Sequence, residues 1–222
     1  ANRVALDSYG LADQTVAINR TGVEISLRGV DGRAHVFASL GPSGKMLCSG
    51  AVSEQELREA FIEQADALAD AGAAAIVIET MAELEEAELA LEAARRTGLP
   101  TVACVVFDSG PNQDRTMTGA TPEQAAERLT AAGADVVGAN CGQGITGYIE
   151  ICRRMRTATE LPLWIKANAG LPQAGPDGTT IFPMGPEEFA SYGPGLIEVG
   201  ANFVGGCCGT DHRHIEALAD HL

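Results

Sequence analysis

Short runs of consecutive apolar residues alternate along this chain with longer stretches whose apolar positions recur at helical spacing. The continuous runs are His35 to Leu40, Ala75 to Glu79, Thr101 to Phe107, Asp135 to Asn140, Leu163 to Asn168 and Ala201 to Gly206. They lack the apolar-polar alternation of a half-exposed strand, so they predict buried parallel strands. Between them, Leu57, Phe61, Ile62, Ala65 and Leu68 form a helical stripe behind the capping box Ser53-Glu54-Gln55-Glu56. Leu84, Ala87, Leu91 and Ala94 mark a second stripe, and Thr121-Pro122-Glu123-Gln124 opens a third helix with an N-cap and an N-terminal proline.

The pattern continues with a helix over Ile149 to Thr157 and another from about Pro186, interrupted at Gly193-Pro194-Gly195. A closing helix spans Asp211 to Leu222, with Thr210 as its expected N-cap, and residues 2 to 22 predict one or two helices at the start. Two long polar loops, Asp108 to Gly119 and residues 171 to 185, are candidates for function.

Strands alternating with amphipathic helices fit either an open doubly wound sheet or a (β/α)8 barrel. Chemistry-bearing residues end nearly every strand: Ser39, Glu79, Phe107-Asp108, Asn140-Cys141, Asn168 and Cys207-Cys208. A barrel gathers such ends at one rim. An α/β, TIM-type barrel is therefore the expected fold, with six strands legible where closure wants eight.

Composition narrows the function. The 222 residues suit one domain with a sizeable core, and the formal charge of −15 disfavours nucleic acid as a partner. No apolar run approaches the roughly 18 residues of a membrane helix, so no membrane partner is expected. No signal peptide is visible, and six cysteines without one suit a reducing, cytoplasmic location. Cys48, Cys104 and Cys152 read as small buried hydrophobes. His35, His212, His214 and His221 read as surface residues and not as ligands.

Cys141, Cys207 and Cys208 are different. Each closes an apolar run beside glycines, and Gly205, Gly206 and Gly209 permit the bend that two adjacent cysteines need to face one ion. Three thiolates with an open fourth position fit catalytic zinc. Such a site is anionic, and so suits holding a substrate thiol as thiolate better than activating water. Glu79 is placed to take a substrate ammonium, while Asn168 either lends its amide oxygen to zinc or caps a turn with Gly170. A vicinal disulfide at Cys207-Cys208 is the alternative for that pair.

The segments Ser39-Leu40-Gly41-Pro42-Ser43-Gly44, Ile78-Glu79-Thr80-Met81, Arg115-Thr116-Met117-Thr118-Gly119, Gly138-Ala139-Asn140-Cys141-Gly142, Lys166-Ala167-Asn168-Ala169-Gly170-Leu171-Pro172 and Gly205-Gly206-Cys207-Cys208-Gly209-Thr210 resemble, in order, the homocysteine S-methyltransferases. The resemblance implies a (β/α)8 barrel with zinc on Cys141, Cys207 and Cys208, homocysteine as methyl acceptor and methionine as product. It implies substrate contacts at Glu79, with Ser39, Asn140 and Asn168 as further candidates. It also implies that residues 1–222 form one homocysteine-binding barrel domain, N-terminally incomplete, since the family's first two strands have no counterpart here.

The methyl donor stays open among a cobalamin- or folate-carrying protein or domain, S-methylmethionine and betaine, and so does the oligomeric state. Two other functions fit the same residues. One is a barrel enzyme that cradles a phosphorylated substrate at Gly205 to Thr210. The other is a non-catalytic zinc-binding barrel module.

Overall fold

Parallel strands with no alternation must be covered on the helix side, and that side sets the architecture. The computed structural model describes residues 1–222. Its sheet runs in chain order through Phe37–Leu40 (β1), Ala75–Met81 (β2), Thr101–Val105 (β3), Val136–Cys141 (β4) and Leu163–Ala167 (β5). A small antiparallel hairpin, Gln173–Ala174 (β6) with Thr180–Ile181 (β7), precedes the last strand of the sheet, Phe203–Gly206 (β8). All five pairings in the six-stranded sheet are parallel, which leaves β1 and β8 as its edges.

The helices are Arg3–Asp7 (α1), Thr15–Val30 (α2), Glu54–Asp70 (α3), Leu84–Arg95 (α4), Pro122–Ala131 (α5), Ile145–Arg156 (α6), Pro186–Ala190 (α7), Gly193–Glu198 (α8) and His212–His221 (α9). The capping boxes expected at Ser53/Glu56 and Thr121/Gln124 both form. On α3 the stripe Leu57, Phe61, Ala65 and Leu68 is buried, and each large side chain there contributes about 1.5–3 kcal/mol relative to exposure. The main core lies between the helices and the outer face of the sheet.

The sheet curls. The Trp164 ring on β5 stacks on Phe37 of β1 with centroids 5.9 Å apart, although four strand spacings in a flat sheet would separate them by about 19 Å. Trp164 also meets Phe203 of β8 at 5.1 Å. A second inner-face cluster joins Val77, Val102 and Cys104, with Val136 and Trp164 against them. The wall therefore wraps around an interior, and the barrel expectation describes it better than an open sheet.

Four details depart from the sequence reading. β1 is buried on one face only, Ala38 and Leu40 being buried while Phe37 is 40% exposed, because its inner face looks into the open side of the wall. Asp211, not Thr210, caps α9, in a capping box closed by His214. That His214 is itself buried, with its ring against Phe189 and Nε2 near the Met184 carbonyl. Cys48 is exposed, whereas Cys104 and Cys152 are buried as expected.

The loop following β1 is pinned from α4. The backbone N–H groups of Leu47 and Cys48 donate to the Glu83 carboxylate at 2.8 and 3.1 Å, and Ser43 N–H donates to Glu86 at 2.8 Å. Both acids are buried, and burial pushes the Glu86 carboxyl upward against these bonds. Charge-assisted bonds of this kind fix a rim loop more firmly than turn propensity does.

Candidate active site

Every expected site residue lies at or just beyond the C-terminal end of a sheet strand. β2 ends in a register irregularity between Ile78 and Met81, and Thr80 there adopts φ 65°. A β-branched residue in the left-handed region costs about 1–2 kcal/mol. Asn140 compensates: its Oδ1 accepts the Thr80 N–H at 2.7 Å and its Nδ2 donates to Thr80 Oγ1 at 2.8 Å. Asn140 is wholly buried, and the same Nδ2 points at Cys207 Sγ from 3.6 Å. The backbone carbonyl of Asn140 is held by the Tyr148 hydroxyl at 2.8 Å.

Cys141, last residue of β4, also lies in the left-handed region at φ 66°. This turns its thiol off the strand. Cys207 continues the ladder by donating its N–H to the Ala167 carbonyl at 2.8 Å, and the chain then folds back, with Thr210 Oγ1 donating to the Cys207 carbonyl at 2.8 Å. Gly209 (φ 80°) makes that turn, and a Cβ there would stand 2.1 Å from the Phe182 ring. The bend thus comes from the Cys207–Thr210 turn. Gly205 and Gly206 keep ordinary φ within β8, and Gly206 is required because Thr210 packs onto it.

The three sulfurs converge. Their ligand atoms all lie within 4.8 Å of one another, with Cys141 Sγ 3.9 Å from Cys208 Sγ. Thiolates around tetrahedral zinc, at bonds near 2.3 Å, stand about 3.8 Å apart. The donor set therefore fits zinc, with the Cys141–Cys208 pair already at that spacing and the third sulfur within 4.8 Å. Asn168 joins the two halves: its Oδ1 accepts the Cys208 N–H at 3.0 Å, and its Nδ2 donates to the Gly142 carbonyl at 2.8 Å while facing Cys141 Sγ at 3.6 Å. Through these bonds Asn168 braces the two loops that carry Cys141 and Cys208.

Charge is unevenly shared among the thiols. A hydrogen bond from Cys141 comes first in drawing Cys207 down, to about 5, against its burial; the Asn140 amide, the Cys208 N–H and the Lys166 charge act in the same direction. That bond and burial push Cys141 up, and burial followed by the Cys207 charge raises Cys208. One thiolate is thus favoured even before a metal draws off the remaining protons.

On the inner side of the sulfurs lies a polar chain. Ser39 Oγ donates to Glu79 Oε1 at 2.6 Å, and Lys166 Nζ donates to Glu79 Oε2 at 2.8 Å. On the other side, Cys141 and Cys208 open on a cleft of about 300 Å³ lined also by Asp108, Gln113, Gly142, Gln143, Asn168, Leu171, Pro172 and Phe182. Both long loops singled out in the sequence contribute to it. In the Gly205–Thr210 segment the N–H groups of Cys207, Cys208 and Thr210 are all taken within the protein, which leaves few amides to cradle a phosphate there.

Sequence pattern alone missed Lys166, Thr80 and Tyr148. Lys166 sits within an apolar run, where a charged residue of period-two phase is the available signal.

A curled wall of parallel strands that presents three thiols and a carboxylate at one rim defines a barrel-type α/β protein whose rim carries a donor set suited to a soft metal. A family model described as homocysteine S-methyltransferase matches residues 1–222, and the chain belongs to that family. It is 30% identical over 227 residues to methionine synthase of Mycobacterium tuberculosis, covering 96% of this chain and 19% of that protein. It is 30% identical over 187 residues to betaine–homocysteine S-methyltransferase 1 of Danio rerio, covering 77% of this chain and 46% of that protein. The chain thus spans about a fifth of the methionine synthase and under half of the betaine enzyme. In structure it resembles the metallated homocysteine methyltransferase MmuM from Escherichia coli, with TM-score 0.77 and 22% identity over 100% of this chain and 76% of that one. No helix of the chain is long and apolar enough to cross a membrane.

Proposed function

We propose that this site transfers a methyl group to the thiol of homocysteine, giving methionine, with zinc held by Cys141, Cys207 and Cys208. The observation that carries it is the approach of the three sulfurs to tetrahedral spacing with two buried amides, Asn140 and Asn168, directed at them. When bound, zinc supplies Lewis acidity that keeps a substrate thiol deprotonated at neutral pH. The chain's own residues do the rest. Asn140 and Asn168 hold the cysteines in place, Glu79 receives the substrate ammonium, and the cleft beside Cys141 and Cys208 receives the methyl donor. Relatives named for betaine and for S-methylmethionine fit such a donor side, as does a cobalamin- or folate-carrying partner. The reaction suits a cytoplasmic protein, where thiols stay reduced.

Reduced, purified protein is expected to carry about one zinc per chain, and homocysteine is expected to add a fourth sulfur to its shell in zinc-edge absorption. Protein without zinc, or a zinc shell indifferent to homocysteine, overturns the proposal; the second result would match a non-catalytic zinc module. Methionine formation with each donor in turn then identifies the donor.

We also propose that residues 1–222 serve as one homocysteine-binding barrel domain whose open side is covered by further strands. The edge strands β1 and β8, the exposed rings of Phe37 and Phe203, and a buried Trp164 Nε1 with no partner support this. Fusing the first two β/α units of a relative ahead of the chain is expected to raise Tm and shift Trp164 emission to the blue. Unchanged Tm and emission would show that the wall stands open by itself.

A further inference from the structure

Lys166 has no role in holding the thiols, yet it occupies the inside of the wall next to them. It pairs in register with Asn140 on one side and Gly205 on the other, so its side chain shares the inner face with that of Asn140 and meets no side chain on the Gly205 side. Its Nζ meets Glu79 Oε2 at 2.8 Å across the interior, and Ser39 Oγ holds the other oxygen of Glu79 at 2.6 Å. The two charged side chains are 24% and 18% exposed. Burial opposes the Lys166 charge, but the hydrogen bond and charge of Glu79 outweigh it and the ammonium is retained.

The height of this pair relative to the sulfurs is set by the strands. Lys166 lies two residues before Asn168, and its partner Gly205 lies two residues before Cys207. Two residues of strand span about 6.6 Å. In homocysteine the sulfur and the carboxylate carbon stand roughly 5 Å apart when extended. A thiol at the cysteines therefore brings its amino-acid end to the Glu79–Lys166 pair.

Hydrogen-bonding capacity remains on both groups. An ammonium has three donors and the Lys166 Nζ uses one of them, on Glu79. Each carboxylate oxygen of Glu79 has a second acceptor direction. We propose that Lys166 binds the α-carboxylate of homocysteine while Glu79 binds its ammonium, so that four charges of alternating sign close a ring. This rests on the methyl-transfer reading and deepens it: the pair selects a zwitterionic thiol over a simple aminothiol or thiol acid. A ligand with one charge satisfies half the pair and leaves the other half unbridged.

The test uses the full-length zinc protein with Lys166→Met, Lys166→Gln and Lys166→Arg, titrated calorimetrically with homocysteine and with 3-aminopropane-1-thiol, which lacks the carboxylate. Wild type is expected to prefer homocysteine by about 10- to 100-fold. Lys166→Met and Lys166→Gln are expected to lose that preference by weakening homocysteine alone, and Lys166→Arg to keep part of it. Equal weakening of both thiols, or homocysteine binding unchanged, overturns the role of Lys166. Should Lys166→Met not fold, the Gln and Arg variants carry the same comparison. Entry of either thiol into the wild-type metal shell, read by zinc-edge absorption, tests the methyl-transfer reading separately; if neither enters, both proposals fall together.

Discussion

Replacing Cys208 with alanine is expected to strip zinc from the purified protein and to lower methyl transfer by more than about 100-fold, since even residues that merely orient metal ligands are worth 10–100-fold. The substitution is well isolated structurally. Cys208 is exposed, so its loss leaves no cavity, and Asn168 braces the segment through the Cys208 backbone N–H, which alanine retains. The metal-free variant should therefore unfold like metal-free wild type, and the whole effect should appear in metal content and turnover. Cys104→Ala is the internal comparison. Its thiol is buried against Val77 and Val102, outside the sulfur cluster, so it should keep zinc and lose about 1 kcal/mol of stability. Full zinc occupancy in Cys208→Ala would mean that the ion sits elsewhere.

The legible part of this molecule was the part governed by local rules. Ser53-Glu56 and Thr121-Gln124 cap helices because a hydroxyl and a carboxyl or amide three residues apart satisfy each other's backbone donors, whatever the rest of the chain does. The runs that became β2 to β4 read correctly because burial on both faces over most of their length leaves a nearly unbroken apolar signal. Convergence of Cys141 with Cys207 and Cys208 followed from placing strand ends on one rim.

What escaped depends on neighbours far away in sequence. One-sided burial of β1 depends on what faces its inner side, which its own residues do not record. The roles of Glu83 and Glu86 come from a loop about forty residues earlier that lays its N–H groups on them, and at the start of a helix such acids look ordinary. Lys166 became informative only when the curl of the sheet brought Glu79 within 2.8 Å of it. The bracing role of Asn168 likewise comes from Cys208, forty residues later, whose N–H its amide oxygen accepts.

The placement of Cys141 depends on the residue after it. Gly142 has φ 60°, and a Cβ there would stand 2.7 Å from the Phe107 carbonyl oxygen and 2.9 Å from the Tyr148 hydroxyl. Neither neighbour yields cheaply: one is backbone, and the other holds the Asn140 carbonyl at 2.8 Å. The Gly142 carbonyl in turn anchors Asn168. Gly142→Ala is therefore expected to combine a left-handed backbone penalty with overpacking, about 3 kcal/mol together, which in a domain of this size lowers Tm by roughly 6–12 °C. It should also weaken zinc binding, because relief of the clash moves Cys141 or loosens Asn140 and Asn168. Gly119→Ala separates the two causes. Gly119 also has positive φ, 93°, but open space where a Cβ would go, so only the backbone penalty of about 1 kcal/mol applies and zinc binding should be unchanged. Equal losses of Tm in the two variants, or Gly142→Ala protein that binds zinc as tightly as wild type, would show that the packing around Gly142 does not set the position of Cys141.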